Sequence, residues 1–245
     1  MNKLKWIFLT TLLTSMTMSS CFIDVNDDNG FFNCEDGDGP MVNATLDVTG
    51  FRGVDLDIPI KVFITQGPDF DVVVEGKQNI IDELELDVSN GVWDIKTDHC
   101  VRDIGDMKIF ITMPEVDFLG ISGSGSIVST GVLLVDDIEL KISGSGELDV
   151  EVEADDIDGR VSGSGTMRLF GFADQLDYRV SGSGDLKAFD LEVRKADIQI
   201  SGSGDAEVFV TELLEVRISG SGDVIYLGNP TIDASISGSG EVRPG

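Results

Sequence analysis

The sequence is poor in the residues from which most catalytic and metal sites are built. It holds one histidine and three cysteines among 245 residues. His99 and Cys100 together are too few ligands for a zinc site. A serine nucleophile usually needs a histidine as its base, and one histidine cannot serve the seven equivalent serine motifs described below. We therefore predict no catalytic residues, no metal site and no cofactor.

Basic residues are scarce as well. Lysine and arginine number 17 against 45 aspartates and glutamates, for a formal net charge of −28 at pH 7. Nucleic acids and anionic membranes attract proteins mainly through lysine and arginine. This balance argues against a nucleic-acid partner and against polybasic attachment to a membrane.

Long apolar runs are also missing, and the one short run lies close to Met1. Lys3 and Lys5 precede an apolar stretch from Trp6 to Leu13, and small residues follow it up to Cys21. The stretch is too short for a good membrane span, and the pattern predicts a secretory signal over residues 1–20. The exit resembles a bacterial lipobox, which implies that Cys21 carries a lipid. Ordinary secretion with cleavage elsewhere is the alternative.

Residues 21–40 are acidic, rich in Asn and Gly, and without periodicity, which predicts a lipid-anchored tether. Asp24, Asn26, Asp28 and Glu35 have the spacing of EF-hand ligands, but Asn29 replaces the required Gly. We expect no calcium there. The predicted location is exported and lipid-anchored in the bacterial cell envelope, at the outer membrane and surface-exposed, with the membrane as a partner through the anchor.

What the sequence has in abundance is a repeat. The tetrapeptide Ser-Gly-Ser-Gly occurs seven times at intervals of 18 to 21 residues, with copies that begin at Ser122, Ser143, Ser162, Ser181, Ser201, Ser219 and Ser237. A near-constant period of this size is typical of a stacked repeat fold. Glycine permits a tight bend with positive φ, and small side chains let successive bends stack.

Apolar and polar residues alternate on both sides of each motif, as in Ile198, Gln199 and Ile200. The alternation predicts β-strands with one buried face. Each coil is therefore predicted to consist of a strand, a Gly-rich bend, a second strand and a loop. Stacked hairpins would also fit, but one motif per period favours a solenoid. We predict an all-β fold, a right-handed parallel β-helix of about 19 residues per coil. Residues 41–245 form one domain, with regular coils over 121–245 and a less regular capping region before them.

Charges on the outward positions also form columns. An acid stands four residues before six of the seven motifs, and a basic residue stands two before four of them, at Lys141, Arg160, Arg179 and Arg217. Neighbouring columns of opposite sign can offset each other's repulsion through cross-strand pairs. We interpret them as a solvated, self-compensating face.

Cys34 and Cys100 are the cysteines left after Cys21. An exported compartment permits disulfides, so we predict a bond between them.

Several ordered motifs together are similar to one known family. They are Gly50-Phe51, the stretch from Ile64 to Gly67, the stretch from Asn90 to Lys96, the repeated tetrapeptide, and the stretch from Tyr226 to Pro230. They resemble the putative auto-transporter adhesin, head GIN domain family, over about residues 45–243. The resemblance implies a right-handed β-helix on exported proteins, and it carries over no catalytic residues.

From these observations we expect a non-enzymatic lipoprotein whose β-solenoid surface serves as an adhesin or as a binding or scaffold module. An extended polysaccharide or an envelope protein is the expected partner. The alternative is a glycan-active β-helix enzyme, a lyase or hydrolase, which would place an unrepeated cluster of acids and bases in a groove. A third interpretation is calcium-dependent folding, since Ser201 to Asp205 faintly resembles a calcium-binding repeat.

Overall fold

The computed structural model describes residues 34–245. The predicted signal over 1–20, lipid attachment at Cys21 and most of the predicted tether lie outside the described residues. Within the described range, no helix has the length and apolar character needed to cross a membrane.

The first part of the described chain combines short strands with one short helix. In chain order these elements are β1 (Glu35–Asp36), β2 (Met41–Thr45), β3 (Gly53–Leu56), β4 (Lys61–Gln66), β5 (Asp71–Lys77), α1 (Gln78–Ile81), β6 (Val88–Ser89), β7 (Val92–Ile95), β8 (Val101–Asp103) and β9 (Lys108–Met113).

The repeat region that follows has longer strands. They are β10 (Phe118–Ile121), β11 (Ser126–Ser129), β12 (Leu133–Leu134), β13 (Asp137–Gly144), β14 (Glu147–Gly163), β15 (Thr166–Gly182), β16 (Asp185–Gly202), β17 (Ala206–Gly220), β18 (Val224–Leu227), β19 (Thr231–Gly238) and β20 (Val242–Pro244).

Successive coils of the repeat region pair in parallel, each with the next. β14 pairs with β15 over almost its whole length, and Ser162, Ser181, Ser201 and Ser219 occupy equivalent positions in four consecutive strands. The chain makes about seven turns with a spacing of about 19 residues. The predicted all-β solenoid is therefore confirmed.

The inward columns that alternation predicts form the core. Ile142, Val161, Val180, Ile200 and Ile218, which directly precede five motifs, are each at most 2% exposed. The predicted loop inside each coil is absent from β14, which continues through a bend at Asp155–Asp156, where two consecutive residues are exposed. A bend suffices because both halves of the strand pair with the same neighbouring coil.

The capping region is only partly made of coils. β3 pairs in parallel with β7 and β10, and β4 pairs in parallel with β9 and β11, so these strands continue the solenoid. β5 instead runs antiparallel to both β2 and β9, and β6 runs antiparallel to β7. Asn90 and Gly91, with φ of 54° and 80°, form the tight turn between β6 and β7. A two-residue turn with positive φ favours a hairpin over another coil.

Candidate functional site

The serine–glycine motifs stack into one corner of the solenoid. In Gly163 and Gly182 the φ angles are 129° and 126°, and a Cβ on either residue would collide with the carbonyl oxygen of the equivalent glycine one coil earlier. Only glycine allows coils to approach this closely here. In the described chain, Ser122 alone among the motif serines donates a side-chain hydrogen bond, to Asp55 at 3.3 Å. The other hydroxyls are left for solvent or a ligand.

A column of basic and polar residues runs along the same face, two residues before the first serine of five motifs. Strand register aligns Lys141, Arg160, Arg179, Gln199 and Arg217 across five consecutive coils. Coils repeat about every 4.8 Å along a parallel ladder, so these side chains offer donors at a regular spacing.

The acidic column beside them pairs with several of these cations. Arg160 contacts Asp158 at 2.7 Å and Glu139 at 3.5 Å, while Arg217 contacts Asp197 at 2.8 Å. Hydrogen bonds to Asp158 and Asp197 raise the pKa of Arg160 and of Arg217, respectively. Exposed pairs of this kind add little stability. The columns compensate each other's charge, as interpreted from the sequence.

These columns border a groove of about 570 Å³, which we call the motif groove. Its lining consists of the basic and polar column, the first serine of five motifs and the edges of the aliphatic residues between them, namely Lys141, Ile142, Ser143, Arg160, Val161, Ser162, Arg179, Val180, Ser181, Gln199, Ile200, Ser201, Arg217, Ile218, Ser219 and Ser235. The groove runs along five coils, and the same few residue types recur in its lining from coil to coil. Its lining would suit an extended molecule that makes many equivalent contacts.

A second groove, of about 1430 Å³, interrupts the regularity of the first coils. We call it the acidic groove. Segments 115–118, 134–139 and 153–156 line it together with Arg52, Asp158 and Phe172. Sequence reasoning missed this groove because its walls come from distant segments. The paired acids at 136–137 and 155–156, which break the alternation, were the only local signal.

Several carboxylates lie close together in the acidic groove, which makes it unfavourable for all of them to be ionised at once. Partial desolvation, with repulsion from Asp137 and Asp155, raises the pKa of the Asp156 carboxyl. Arg52 contacts Asp117 at 3.3 Å. A raised carboxyl pKa is typical of residues that act as general acids. However, in the described chain no side-chain hydrogen bond links Asp156 to another titratable group, and no cluster of three or more His, Cys, Asp or Glu is placed to hold a metal ion.

The predicted cysteine pair lies beside the capping region. Cys34 and Cys100 form a disulfide across a sequence separation of 66. β1, just after Cys34, pairs in parallel with β8, and Lys77 Nζ donates a hydrogen bond to the Gly37 carbonyl at 2.9 Å. The part of the predicted tether from Cys34 onward is thus attached to the solenoid, since its backbone groups find partners there.

Comparison with known proteins agrees with this geometry. Residues 50–230 match the family described as "Putative auto-transporter adhesin, head GIN domain". A search of curated proteins gives no match.

Solved structures share the fold across most of their length. A putative adhesin from Bacteroides fragilis has a TM-score of 0.81 at 23% identity, covering 86% of this chain and 99% of the other. A putative lipid binding protein from Parabacteroides distasonis has a TM-score of 0.74 at 24% identity, with the same coverages of 86% and 99%. A putative adhesin from Parabacteroides merdae has a TM-score of 0.70 at 18% identity, covering 86% and 98%.

Proposed function

The chain belongs to the auto-transporter adhesin, head GIN domain family, and from this premise we propose that it is a non-enzymatic binding protein of the cell envelope. Its β-helix would hold an extended partner, a polysaccharide or an envelope protein, along the motif groove. The membrane would be a second partner, through a lipid on Cys21.

The observation that carries this proposal is the register of donors along the motif groove. Lys141, Arg160, Arg179 and Arg217 occupy four of five consecutive coils, with Gln199 on the fifth, beside a column of serine hydroxyls. A guanidinium has five N–H donors, so an arginine in an ion pair keeps donors for a ligand's hydroxyl or carbonyl groups. Many weak contacts at regular spacing suit a polymer, because binding at one coil raises the effective concentration at the next.

Replacing the arginines of the groove tests the proposal. We expect Arg160→Ala, Arg179→Ala and Arg217→Ala to weaken glycan-array binding or cell adhesion by about threefold to tenfold each, and the triple variant by far more. Arg168→Ala is the matched control, because Arg168 also pairs with a carboxylate of a neighbouring coil, Asp149 at 3.0 Å, but lies outside the groove. If the triple variant binds as the control does, the motif groove is not the binding surface.

For the location, we propose export and lipid attachment at Cys21, with the domain held at the outer membrane and exposed on the surface. Cys21→Ser would then move the protein from the membrane fraction to the soluble fraction. Cys34→Ser should remain in the membrane fraction, because it removes a thiol without touching the lipobox-like exit. Retention of the Cys21→Ser protein in membranes would contradict the anchor.

A glycan-active enzyme is the second candidate, and the acidic groove is the observation that favours it. The groove is unrepeated, and the raised pKa of Asp156 suits a group that donates a proton to a leaving oxygen. Under this candidate, Asp156→Asn would abolish a measurable lyase or hydrolase activity on a polysaccharide. Under the binding proposal, no such activity exists in the unaltered protein.

A further inference from the structure

The solenoid presents an open apolar face at the coil that contains β19. Ile232 and Ile236 stand in the inward columns, directly aligned with Leu214 and Ile218 of β17. Leu214 and Ile218 are at most 2% exposed, whereas Ile232 and Ile236 are 40% and 43% exposed. All eight residues of β19 are exposed. β17 covers one side of this layer of core side chains, and no described residue covers the other.

The backbone edge of β19 is open in the same way. β17 pairs with one edge, and no described strand pairs with the other, although β20 does cover the neighbouring β18. Proteins usually protect such edges with lysine, proline, bulges or short strands. β19 has eight residues and contains neither lysine nor proline, and its only charge is Asp233. Ser235 stands where the preceding coil has Arg217. An edge this long and this poorly charged is a template for another strand.

At the opposite end of the described solenoid the core side chains are covered, although the outer edge of β2 has no described partner strand. α1 packs beside β2 and β5, and its Ile80 and Ile81 are 0% and 4% exposed. Trp93 on β7 is fully buried. A second molecule that docked its capped end on β19 could pair backbones through β2, but it would offer no open layer of core side chains to Ile232 and Ile236. Two equal open ends placed against each other bury these side chains in both copies, so we favour that arrangement over a head-to-tail contact.

We propose that two copies of this chain join through β19, edge to edge, about a two-fold axis. An axis normal to the sheet keeps the apolar faces of both copies inside and makes the two strands antiparallel. With the axis at Ala234, Ile232 of each copy lies opposite Ile236 of the other, and Asp233 lies opposite Ser235. This register avoids the like-charge contact that the parallel stack makes between Glu215 and Asp233.

Charge and symmetry thus favour a second copy over an unrelated strand as the occupant. The pairing satisfies the free backbone groups of both edges at once and buries Ile232 and Ile236 of both copies. It does not depend on the motif groove, whose arginines lie on coils before β19. If the arginine variants still bind ligand, the binding proposal fails but the dimer proposal stands. If the protein is monomeric, the dimer proposal fails but the binding proposal stands.

The first test is the mass of the purified full chain with Cys21→Ser, so that no lipid contributes to association. Light scattering after size-exclusion chromatography should give twice the chain mass of 26.3 kDa. Ile236→Lys should weaken association at least tenfold, because the dimer would bury an ammonium group beside Ile232. Leu134→Lys is the matched control: Leu134 is also an exposed aliphatic residue, at 61%, but it lies far from β19 in the stack. It should leave the dimer intact.

A cross-link tests the register without relying on a disruptive change. In the same Cys21→Ser background, Ala234→Cys introduces the one thiol outside the Cys34–Cys100 bond. Mild oxidation should join two chains through that position, since the axis brings the two residues face to face, whereas Leu134→Cys should not cross-link. A monomer at every concentration would overturn the proposal. So would a dimer that Ile236→Lys leaves unchanged and that Ala234→Cys fails to cross-link.

Discussion

At the scale of single residues, the core shows size matching between coils. Gly159 breaks the inward aliphatic column, and the structure gives the reason: the ring of Tyr178 lies opposite it, so that a Cβ at Gly159 would come within 3.1 Å of the ring. Tyr178 is fully buried, and its hydroxyl has no hydrogen-bond partner in the described chain. Burial, with a smaller effect of Asp185, raises the pKa of this hydroxyl.

Tyr178→Phe removes that isolated hydroxyl and keeps the ring. A buried polar group without a partner costs about 1–3 kcal/mol, so we expect the variant to be as stable as the unaltered protein or more so, by up to that amount. Urea denaturation measures the difference. Tyr178→Ala is the comparison and should lose about 3–5 kcal/mol through a cavity. A loss of stability in Tyr178→Phe as well would mean that the hydroxyl has a partner in solution.

The alternation along a strand predicts unequal effects at neighbouring positions. Ile200 and Ile218 are each 2% exposed and stand in one inward column. Replacing either by Ala should lower the free energy of unfolding by about 2–5 kcal/mol. Gln199 points outward, and Gln199→Ala should change it by less than about 0.5 kcal/mol. Thermal or urea unfolding of the three variants measures this. Equal losses at all three positions would contradict the register.

At the scale of the structural element, the motif corner depends on glycine. Gly182 has a φ of 126°, and a side chain there would press on the Gly163 carbonyl of the coil before it. Gly182→Ala should therefore destabilise the protein by about 1–3 kcal/mol through backbone strain alone, with the steric contact in addition. Gly131 has open space around it and no positive φ. Gly131→Ala should be neutral or stabilising by up to about 1 kcal/mol.

Melting curves of the two glycine variants make this comparison direct. A midpoint that falls for Gly182→Ala and holds for Gly131→Ala is the expected outcome. If both variants melt like the unaltered protein, the close stacking of corners contributes nothing to stability, and the repeat of glycine needs another explanation.

At the scale of the whole molecule, one covalent bond links the start of the described chain to the capping region. Cys34 and Cys100 close a loop of about 66 residues, which contributes up to roughly 4 kcal/mol when chain entropy alone is counted. Under denaturing, non-reducing conditions, we expect no free thiol at either position. Two reactive thiols per chain would exclude the bond.

Reduction of that bond should lower the melting temperature while leaving the coils from β13 to β17 folded. Those coils pair with their own neighbours and do not contact the disulfide. Near-constant strand content by circular dichroism, with a lower midpoint, is the expected signature. A solenoid distributes its stability among neighbouring coils, so a local change need not unfold the whole.

The sequence by itself determined the repeat region. Period, alternation and the Gly-rich motif predict the coil, the inward column at Ile200 and Ile218, and the outward column at Arg160 and Arg217, because each depends on local spacing alone. Stacking then repeats the same local solution in every coil. The family resemblance rests on the same local motifs.

Only the tertiary structure decided the rest. The antiparallel β5, the helix α1 and the acidic groove depend on contacts between segments far apart in the chain, which no local pattern specifies. The pairing of Gly159 with Tyr178 is likewise visible only once two coils lie side by side. The exposure of Ile232 and Ile236 is the sharpest case. Their sequence pattern is that of core residues, and burial depends on whether another strand lies on the open side of β19.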